Sequence, residues 1–391
     1  INLAADADGY GDLNPERVQI QFDASDIRTG TLYPSTVPVI NVGDRLGDVT
    51  GVVGYDFGNF EVRALHELNV TPAGLTPETT SLLGTQGAVT LASYNVLNLS
   101  PLSSDDNQRA KLADQIVNNL GSPDVVALQE IQDNSGETDD GTVEADQTLQ
   151  ALVAAIAAAG GPSYEFFDVA PADGSSGGVP GGNIRNAFLY NPERVELDHF
   201  VSLTETVLTE IGVSNPTAFV GTRDPLAAAF VFEGQLFVVI NNHLSSRFGS
   251  TPIFGGPQPF FQAAESDREA QLGALNEVVD LILAADKDAR VIVLGDFNTF
   301  EFTDDLTEIL PGTLDGKAIM KTLLTEVEDD NRYTFIFDGN SQVLDHMFAT
   351  RSLLEGAEFD IVHVNVDFNR LRNATTASDH EPLVGRFSFK D

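Results

Sequence analysis

Val291 to Phe300 reads VIVLGDFNTF. Four apolar residues run to Gly295, and then an Asp and an Asn stand one residue apart. Gly, Asp and Asn are turn formers, so GDFN taken locally is a strand running into a turn. The neighbouring sequence decides what fold that strand belongs to. Immediately upstream, ESDREAQLGALNEVVDLILAAD (265–286) has helical periodicity and feeds into the strand. Before it, LAAAFVFEGQLFVVINNH (226–243) reads as a hairpin of two apolar runs around Glu233, Gly234 and Gln235. Earlier still, VTLASYN and DVVALQE are strand-like and flank a helix that places Leu112, Ile116, Val117 and Leu120 on one face. A further helix, DQTLQALVAAIAAAGG, ends at Gly160. Helices mixed with strands and hairpins predict an α/β fold, a four-layer α-β-β-α sandwich in which helices cover two packed, largely antiparallel sheets.

A chain of 391 residues with 42% apolar content can bury a full core and is long enough for two domains. The stretch Val70 to Ala88 is rich in Thr, Gly and Pro and has no periodicity, which predicts a linker over 76–88. Ahead of it, VQIQF, VPVI, GDVTGVVGYDF and NFEVRAL are short alternating runs without a helix, so residues 1–75 are expected to form a small OB-like β-barrel domain. Residues 89–391 then form the α/β domain. In the barrel, Tyr55, Phe57 and Phe60 are read as core, with stacking on single-stranded bases as the alternative. Asp6 to Asp12, DADGYGD, alternates carboxylates with Gly but lacks the Glu that closes an EF-hand loop, and reads as a solvated acidic loop.

No window offers the roughly 18 unbroken apolar residues of a membrane span. The opening INLAADADG has neither an initiator Met nor a signal-peptide core, so the chain reads as a trimmed mature fragment. The absence of Cys excludes disulfides and thiolate metal sites. With 59 acidic against 21 basic residues, the net charge of -38 argues against a polyanionic partner at low salt. Salt near a tenth molar screens charge beyond roughly 10 Å, and a bound divalent cation inverts the field locally. The acidity is read as adaptation of a secreted, extracellular protein to a saline medium.

Polar residues recur at the C-terminal ends of the apolar strands, where α/β sites are assembled. Asn95 follows VTLASY, Glu130 follows VVALQ, His243 follows FVVINN and Asp296 follows VIVLG. Asp345 and His346 lie in QVLDHMFA, and Asp379 and His380 precede the last apolar run. Each has an ordinary reading by itself: Asn95 and Asn98 as turn residues, Glu130 as a surface carboxylate, Asp379 as a cap. His66, His199 and His363 lack such company and are read as structural.

Taken in order, the set Asn95, Glu130, His243, Asp296-x-Asn298, Asp345 and Ser378-Asp379-His380 resembles the endonuclease/exonuclease/phosphatase superfamily, with its deoxyribonuclease I-like fold. The segments YNVLN, LQEIQDN, GGNIRNAFLYNPERV, NNHLSSR, GDFNTF, GNSQVLDH and SDHEPLV bring the chain close to bacterial extracellular nucleases that carry an OB-like domain ahead of the catalytic one. The resemblance covers 89–389 well and the first domain loosely. Where the family most often has a Lys-Ser-Lys run after the His, this chain has Ser245, Ser246 and Arg247, which leaves Arg247 as the substitute grip on phosphate.

The resemblance implies a metal site of Asn95, Glu130 and Asp379, hard oxygen ligands that suit Mg²⁺ or Mn²⁺ better than Zn²⁺, with Ca²⁺ as a structural ion. Asp296 would orient and deprotonate water, and Asn298, expected on the same side of an extended strand, would hold a phosphoryl oxygen. His243 and His380 would flank the phosphate, and Asp345 would accept a hydrogen bond from His380 and raise its pKa. His346, one residue on, would point the other way. Arg185 and Asn183 are further expected phosphate contacts.

Three functions follow as expectations. The first is a secreted, non-specific endonuclease acting on DNA, as a monomer with no protein partner. The second is a phosphatase or phosphodiesterase acting on small phosphoesters or phospholipid head groups, which the net charge favours. The third, a non-catalytic binding module, is disfavoured because no position of the set has decayed.

Overall fold

The alternation within VIVL shows how the layers arise. The computed structural model describes residues 18–21, 39–56, 59–253, 259–313, 317–337, 339–369 and 375–389. In it Ile292 and Leu294 enter one core while Val291 and Val293 enter another. All four side chains are fully buried, each contributing roughly 1.5–3 kcal/mol. A strand flanked by two cores belongs to a sheet covered on both faces.

The chain divides into two units. The first comprises Ile1–Thr76 with Arg247–Ala263 and Asp367–Arg372. Its strands β1 (Gln19–Gln21), β2 (Gly51–Asp56) and β3 (Asn59–Ala64) form a sheet of order β1-β3-β2. Tyr55 and Phe60, cross-strand partners, are exposed and meet edge to face with centroids 5.0 Å apart. This corrects their expected place in a core: the pair lies on one face of the β2–β3 hairpin, which leaves both rings exposed. Phe57 and the run Asp6–Asp12 lie outside the described residues.

The second unit comprises Pro77–Ser246, Ala264–Val366 and Asn373–Asp391. Its strands begin with β4 (Ala88–Leu99), β5 (Val125–Ile131), β6 (Glu165–Asp168), β7 (Arg185–Tyr190) and β8 (Glu196–Ser202). They continue with β9 (Leu226–Phe232), β10 (Gln235–His243), β11 (Val291–Asp296), β12 (Met320–Thr322) and β13 (Phe335–Phe337). The last are β14 (Asn340–Gln342), β15 (Asp345–Thr350), β16 (Glu358–Ile361) and β17 (Leu383–Ser388). The helices are α1 (Asp106–Asp114), α2 (Asp146–Ala158), α3 (Glu205–Ile211), α4 (Glu265–Ala285) and α5 (Arg351–Leu354). Two six-stranded sheets result, of order β16-β17-β4-β5-β7-β6 and β12-β15-β11-β10-β9-β8.

The sheets face each other across a core that joins Val89, Leu91, Val125 and Phe188 to Phe230, Val239, Ile292 and Leu294. On the outer face of the first sheet, Leu112, Ile116, Leu149 and Leu152 of the α1 and α2 region cover Tyr94, Val126 and Leu128. On the outer face of the second, Leu208, Leu272, Leu275 and Val279 of α3 and α4 cover Ile240, Val291, Val293 and Phe348. This is the expected four-layer sandwich. The hairpin between β9 and β10 turns on Glu233 and Gly234, both with positive φ, the two-residue turn whose twist matches the strands.

Residues 77–88, within the expected linker 76–88, are built into the second unit. Leu82 is buried in the same core as Leu112, and Thr80 Oγ1 donates to Asp360 Oδ2 at 2.6 Å. One buried Leu and a tied Thr are enough to strap down a segment whose composition reads as loop. Among the described residues no helix is long and apolar enough to cross a membrane.

Candidate active site

Gly295 permits the arrangement. Its φ is +135°, and a Cβ there would stand 1.9 Å from the carbonyl oxygen of Asn242, its partner on β10. Only Gly lets β11 approach β10 in this conformation. In the resulting register His243 pairs with Asp296, and across the antiparallel β15 Asp296 pairs with Asp345. Three neighbouring strand termini therefore present His243, Asp296 and Asp345 in one row. His346 falls on the opposite face, as alternation requires: its Nε2 lies 3.0 Å from the Thr299 carbonyl and its ring packs beside Phe297.

Asn298 is a correction. It was expected on an extended strand, but β11 ends at Asp296 and Asn298 has φ +51°. The Asp296 side chain causes the turn, because its Oδ1 accepts the Asn298 N–H at 2.9 Å. The Asn298 Nδ2 then donates to the Leu244 carbonyl at 3.3 Å.

The facing sheet supplies Asn95 and Glu130 from two places where its ladder breaks. Register shifts lie between Asn95 and Leu99 and between Leu128 and Ile131, and Leu97, Asn98 and Glu130 have positive φ. Bulges and left-handed residues of this kind re-aim side chains beside sites. Asn95 Nδ2 donates to Glu130 Oε1 and to Asp296 Oδ2, both at 3.0 Å. Its Oδ1 accepts from the Leu97 N–H, and the Asn98 N–H donates to Glu130 Oε2. Asp296 Oδ2 also lies 3.5 Å from His243 Nε2 and 3.8 Å from His380 Nε2. His380 is seated by Ser378, whose Oγ donates to the Asn95 carbonyl and accepts the His380 N–H.

The two imidazoles differ in their second nitrogen. His380 Nδ1 donates to Asp345 Oδ2 at 2.7 Å, whereas His243 Nδ1 is buried with no partner. Burial lowers the pKa of both. For His380 the carboxylates of Asp345 and Asp296 outweigh burial and hold it well above the usual range. For His243 burial is reinforced by Arg223 and His380 and holds the ring well below it. Burial likewise pushes the Asp296 carboxyl up to about 7, against the pull of His380, and raises Glu130 against the amide of Asn95.

Arg223 has no counterpart in the sequence-based expectations. It is buried, donates through Nη2 to the Leu244 carbonyl, and keeps Nε buried with no partner. Its charge interacts with Asp296, Glu130 and His243. A signal existed: with 21 basic residues in 391, an Arg in TRDP directly ahead of an apolar strand is conspicuous.

The expected substrate contacts fall elsewhere. Arg185 is buried, and its guanidinium donates to the carbonyls of Asn183 and Val143 and to Asp168. Asn183 donates to Asp133, Thr142 and Asp173 and accepts from Gly174. Both side chains thus tie neighbouring strands and loops to one another through carbonyls and carboxylates. Arg247 belongs to the first unit, where its Nη1 donates to Gln262 at 2.8 Å. His363 and His199 are placed outside the site, one buried near Glu381 and the other exposed beside Asp198.

Ligand atoms of Glu130, His243 and Asp296 lie within 4.8 Å of one another, as do those of Asp296, Asp345 and His380. Either group can hold a metal ion. Asp379 lies in neither, although its charge acts on Glu130 and His380. The buried carboxylate of Asp296 and the half-buried one of Glu130, bridged by the Asn95 amide, form a hard donor set, which fits a divalent cation.

A family model described as the Endonuclease/Exonuclease/phosphatase family matches residues 92–380, and one described as a domain of unknown function matches residues 2–73. No curated protein matches in sequence. Among solved structures, humanized D. rerio TDP2 is 19% identical with a TM-score of 0.49, covering 77% of this chain and 99% of its own. An endonuclease/exonuclease/phosphatase from Bacteroides vulgatus is 17% identical with a TM-score of 0.49, covering 78% and 99%. The human Nocturnin catalytic domain is 17% identical with a TM-score of 0.48, covering 78% and 95%.

Proposed function

The chain belongs to the Endonuclease/Exonuclease/phosphatase family, and from that premise we propose that it is a divalent-metal-dependent phosphodiester hydrolase, a secreted endonuclease that degrades DNA. The observation that carries this reading is the convergence on Asp296 Oδ2 of Asn95 from one sheet, His243 from the other and His380 from the segment before β17.

A carboxyl raised to about 7 is a competent base near neutral pH, so Asp296 takes the proton of the attacking water. The water oxygen bonds to phosphorus, the bond to the leaving oxygen breaks, and His380, kept protonated by Asp345, gives that oxygen its proton. Neutral His243 and the Asn298 amide are hydrogen-bond donors for the phosphoryl oxygens. Glu130, whose carboxylate belongs to the group with His243 and Asp296, would hold Mg²⁺ or Mn²⁺, with Asn95 and Asp379 as the further ligands this reading requires; the ion when bound neutralises phosphoryl charge and acidifies water. Arg223 gives the site a permanent cation inside a chain of charge -38.

Residues 1–75 act in this reading as an OB-like companion domain. The acidic composition supports work outside the cell in saline surroundings, with which the absence of Cys is compatible. The net charge also favours a second reading, hydrolysis of small phosphoesters. Plasmid DNA and a chromogenic phosphomonoester, offered in parallel with Mg²⁺ and then with EDTA, separate the two: EDTA-sensitive nicking supports the endonuclease, and monoester turnover with intact plasmid excludes it.

A further inference from the structure

Helix α4 carries a fully buried carboxamide that the chemistry above does not use. Gln271 Oε1 accepts the Ser245 N–H at 3.0 Å, and Nε2 donates to Ser245 Oγ at 3.0 Å and to Thr222 Oγ1 at 3.2 Å. One side chain thus ties together two segments that are distant in sequence. One leaves β10 directly after His243, and the other enters β9 through Arg223. Arg268, three residues earlier on the same helix face, donates through Nη1 to the Ser245 carbonyl at 3.2 Å. Helix α4 therefore grips Ser245 by its N–H, its carbonyl and its hydroxyl.

Between the gripped residue and the site stands Leu244. Its N–H donates to the Asp296 carbonyl at 2.9 Å, and its own carbonyl receives Arg223 Nη2 and Asn298 Nδ2. Displacement of Ser245 reaches His243 two residues back, and release of Thr222 reaches Arg223 one residue on. We propose that Gln271 is a positioning residue for the candidate active site, setting the spacing between His243 and Arg223. It touches neither the substrate nor the reacting atoms. The inference rests on the phosphoesterase reading for its kinetic expression, but not for its structural one.

Gln271→Met keeps the side-chain length and removes both the acceptor and the donors. A misplacement of about 1 Å in a site costs roughly 100-fold in rate, so a loss of kcat of about tenfold or more is expected, with KM changing much less. Asn276→Leu is the comparison: it severs the tie from α4 to the Leu310 carbonyl away from the site and should lower thermal stability while leaving kcat unchanged. Because part of the effect of Gln271 passes through Thr222 to Arg223, the double variant with Arg223→Met should lose less than the two single losses combined. Additive losses, or full kcat in folded Gln271→Met, would overturn the proposal. Where Gln271→Met does not fold, Ser245→Ala and Thr222→Val each remove one bond, and kcat unchanged in both overturns it equally. If the wild-type protein hydrolyses no phosphoester with Mg²⁺ or Mn²⁺, the functional reading fails on its own. The positioning role is then read from the imidazole resonances of His243, which should shift in Gln271→Met and not in Asn276→Leu; unmoved resonances refute it.

Discussion

Gln129 Nε2 donates to Asn241 Oδ1 at 2.7 Å, across the space between the two sheets. Both residues are completely buried, and each stands close to a site residue in sequence, Gln129 before Glu130 and Asn241 two before His243. The Asn241 amide also donates to the carbonyls of Leu128 and Ala187 at 3.0 Å. The bond fixes how far the strand end bearing Glu130 lies from the one bearing His243.

Asn241→Leu should therefore be costly. It removes the amide donors from the buried carbonyls of Leu128 and Ala187, at about 1–3 kcal/mol for each group left short of a partner, and leaves Gln129 Nε2 only its weaker bonds to Ser93 and Ala127. Urea unfolding checks the loss. Stability within 0.5 kcal/mol of wild type, a rough bound for a neutral surface change, would show that water or rotamer change replaces the bond.

Gly295→Ala should abolish the site through the backbone. A methyl group 1.9 Å from the Asn242 oxygen cannot be accommodated, and a φ of +135° is strained for any L side chain. The β10–β11 register must shift, with a destabilisation of roughly 3–5 kcal/mol. Thermal melting of the purified variant tests this.

Asp345→Asn removes the carboxylate that outweighs burial at His380. The imidazole pKa must fall, so the alkaline limb of the pH–rate profile should move to lower pH. By analogy with the loss of an orienting carboxylate elsewhere, kcat should drop by up to about 10⁴. An unmoved alkaline limb would remove His380 as the proton donor.

His346 makes the opposite contribution to stability. Burial lowers its pKa beneath the ordinary imidazole value of 6.5, so the unfolded chain binds the extra proton first as pH falls. The stability it contributes is complete above pH 6.5 and is lost as pH drops toward its folded value. His380, raised in the fold, contributes stability that is complete below pH 6.5 and is lost as pH rises through its folded value. His346→Gln should flatten the acid side of the unfolding free energy against pH, measured by chemical denaturation; an unchanged slope would contradict the assignment.

Glu130→Gln should remove the response to metal. Saturating Mg²⁺ at about 100 times Kd stabilises a binding protein by about 2.7 kcal/mol. The wild type should show a rise in Tm with added Mg²⁺ or Mn²⁺ and the variant a much smaller one, as calorimetry can measure.

Much of this was legible in the sequence because it depends on local pattern. The apolar run 291–294, the helix 265–285 that precedes it and the polar residues at strand ends all follow from periodicity. What escaped depends on backbone departures from regularity and on partners distant in the chain. Asn298 was given the geometry of a strand that its own neighbour Asp296 turns away. Arg223 and Arg185 look alike in sequence, yet one borders the site and the other is held by the carbonyls of Asn183 and Val143. Taken alone, neither TRDP nor GGNIRN distinguishes a scaffold contact from a ligand contact. Leu82 was hidden in a segment whose Thr, Gly and Pro content suggested a loop.

The row of His243, Asp296 and Asp345 has a thermal consequence. Adjacent strands stand roughly 4.8 Å apart whatever their side chains, so the separation of these groups is inherited from the ladder and not from a loop. No local melting can widen it without first opening the middle of a six-stranded sheet. Heat inactivation should then coincide with global unfolding.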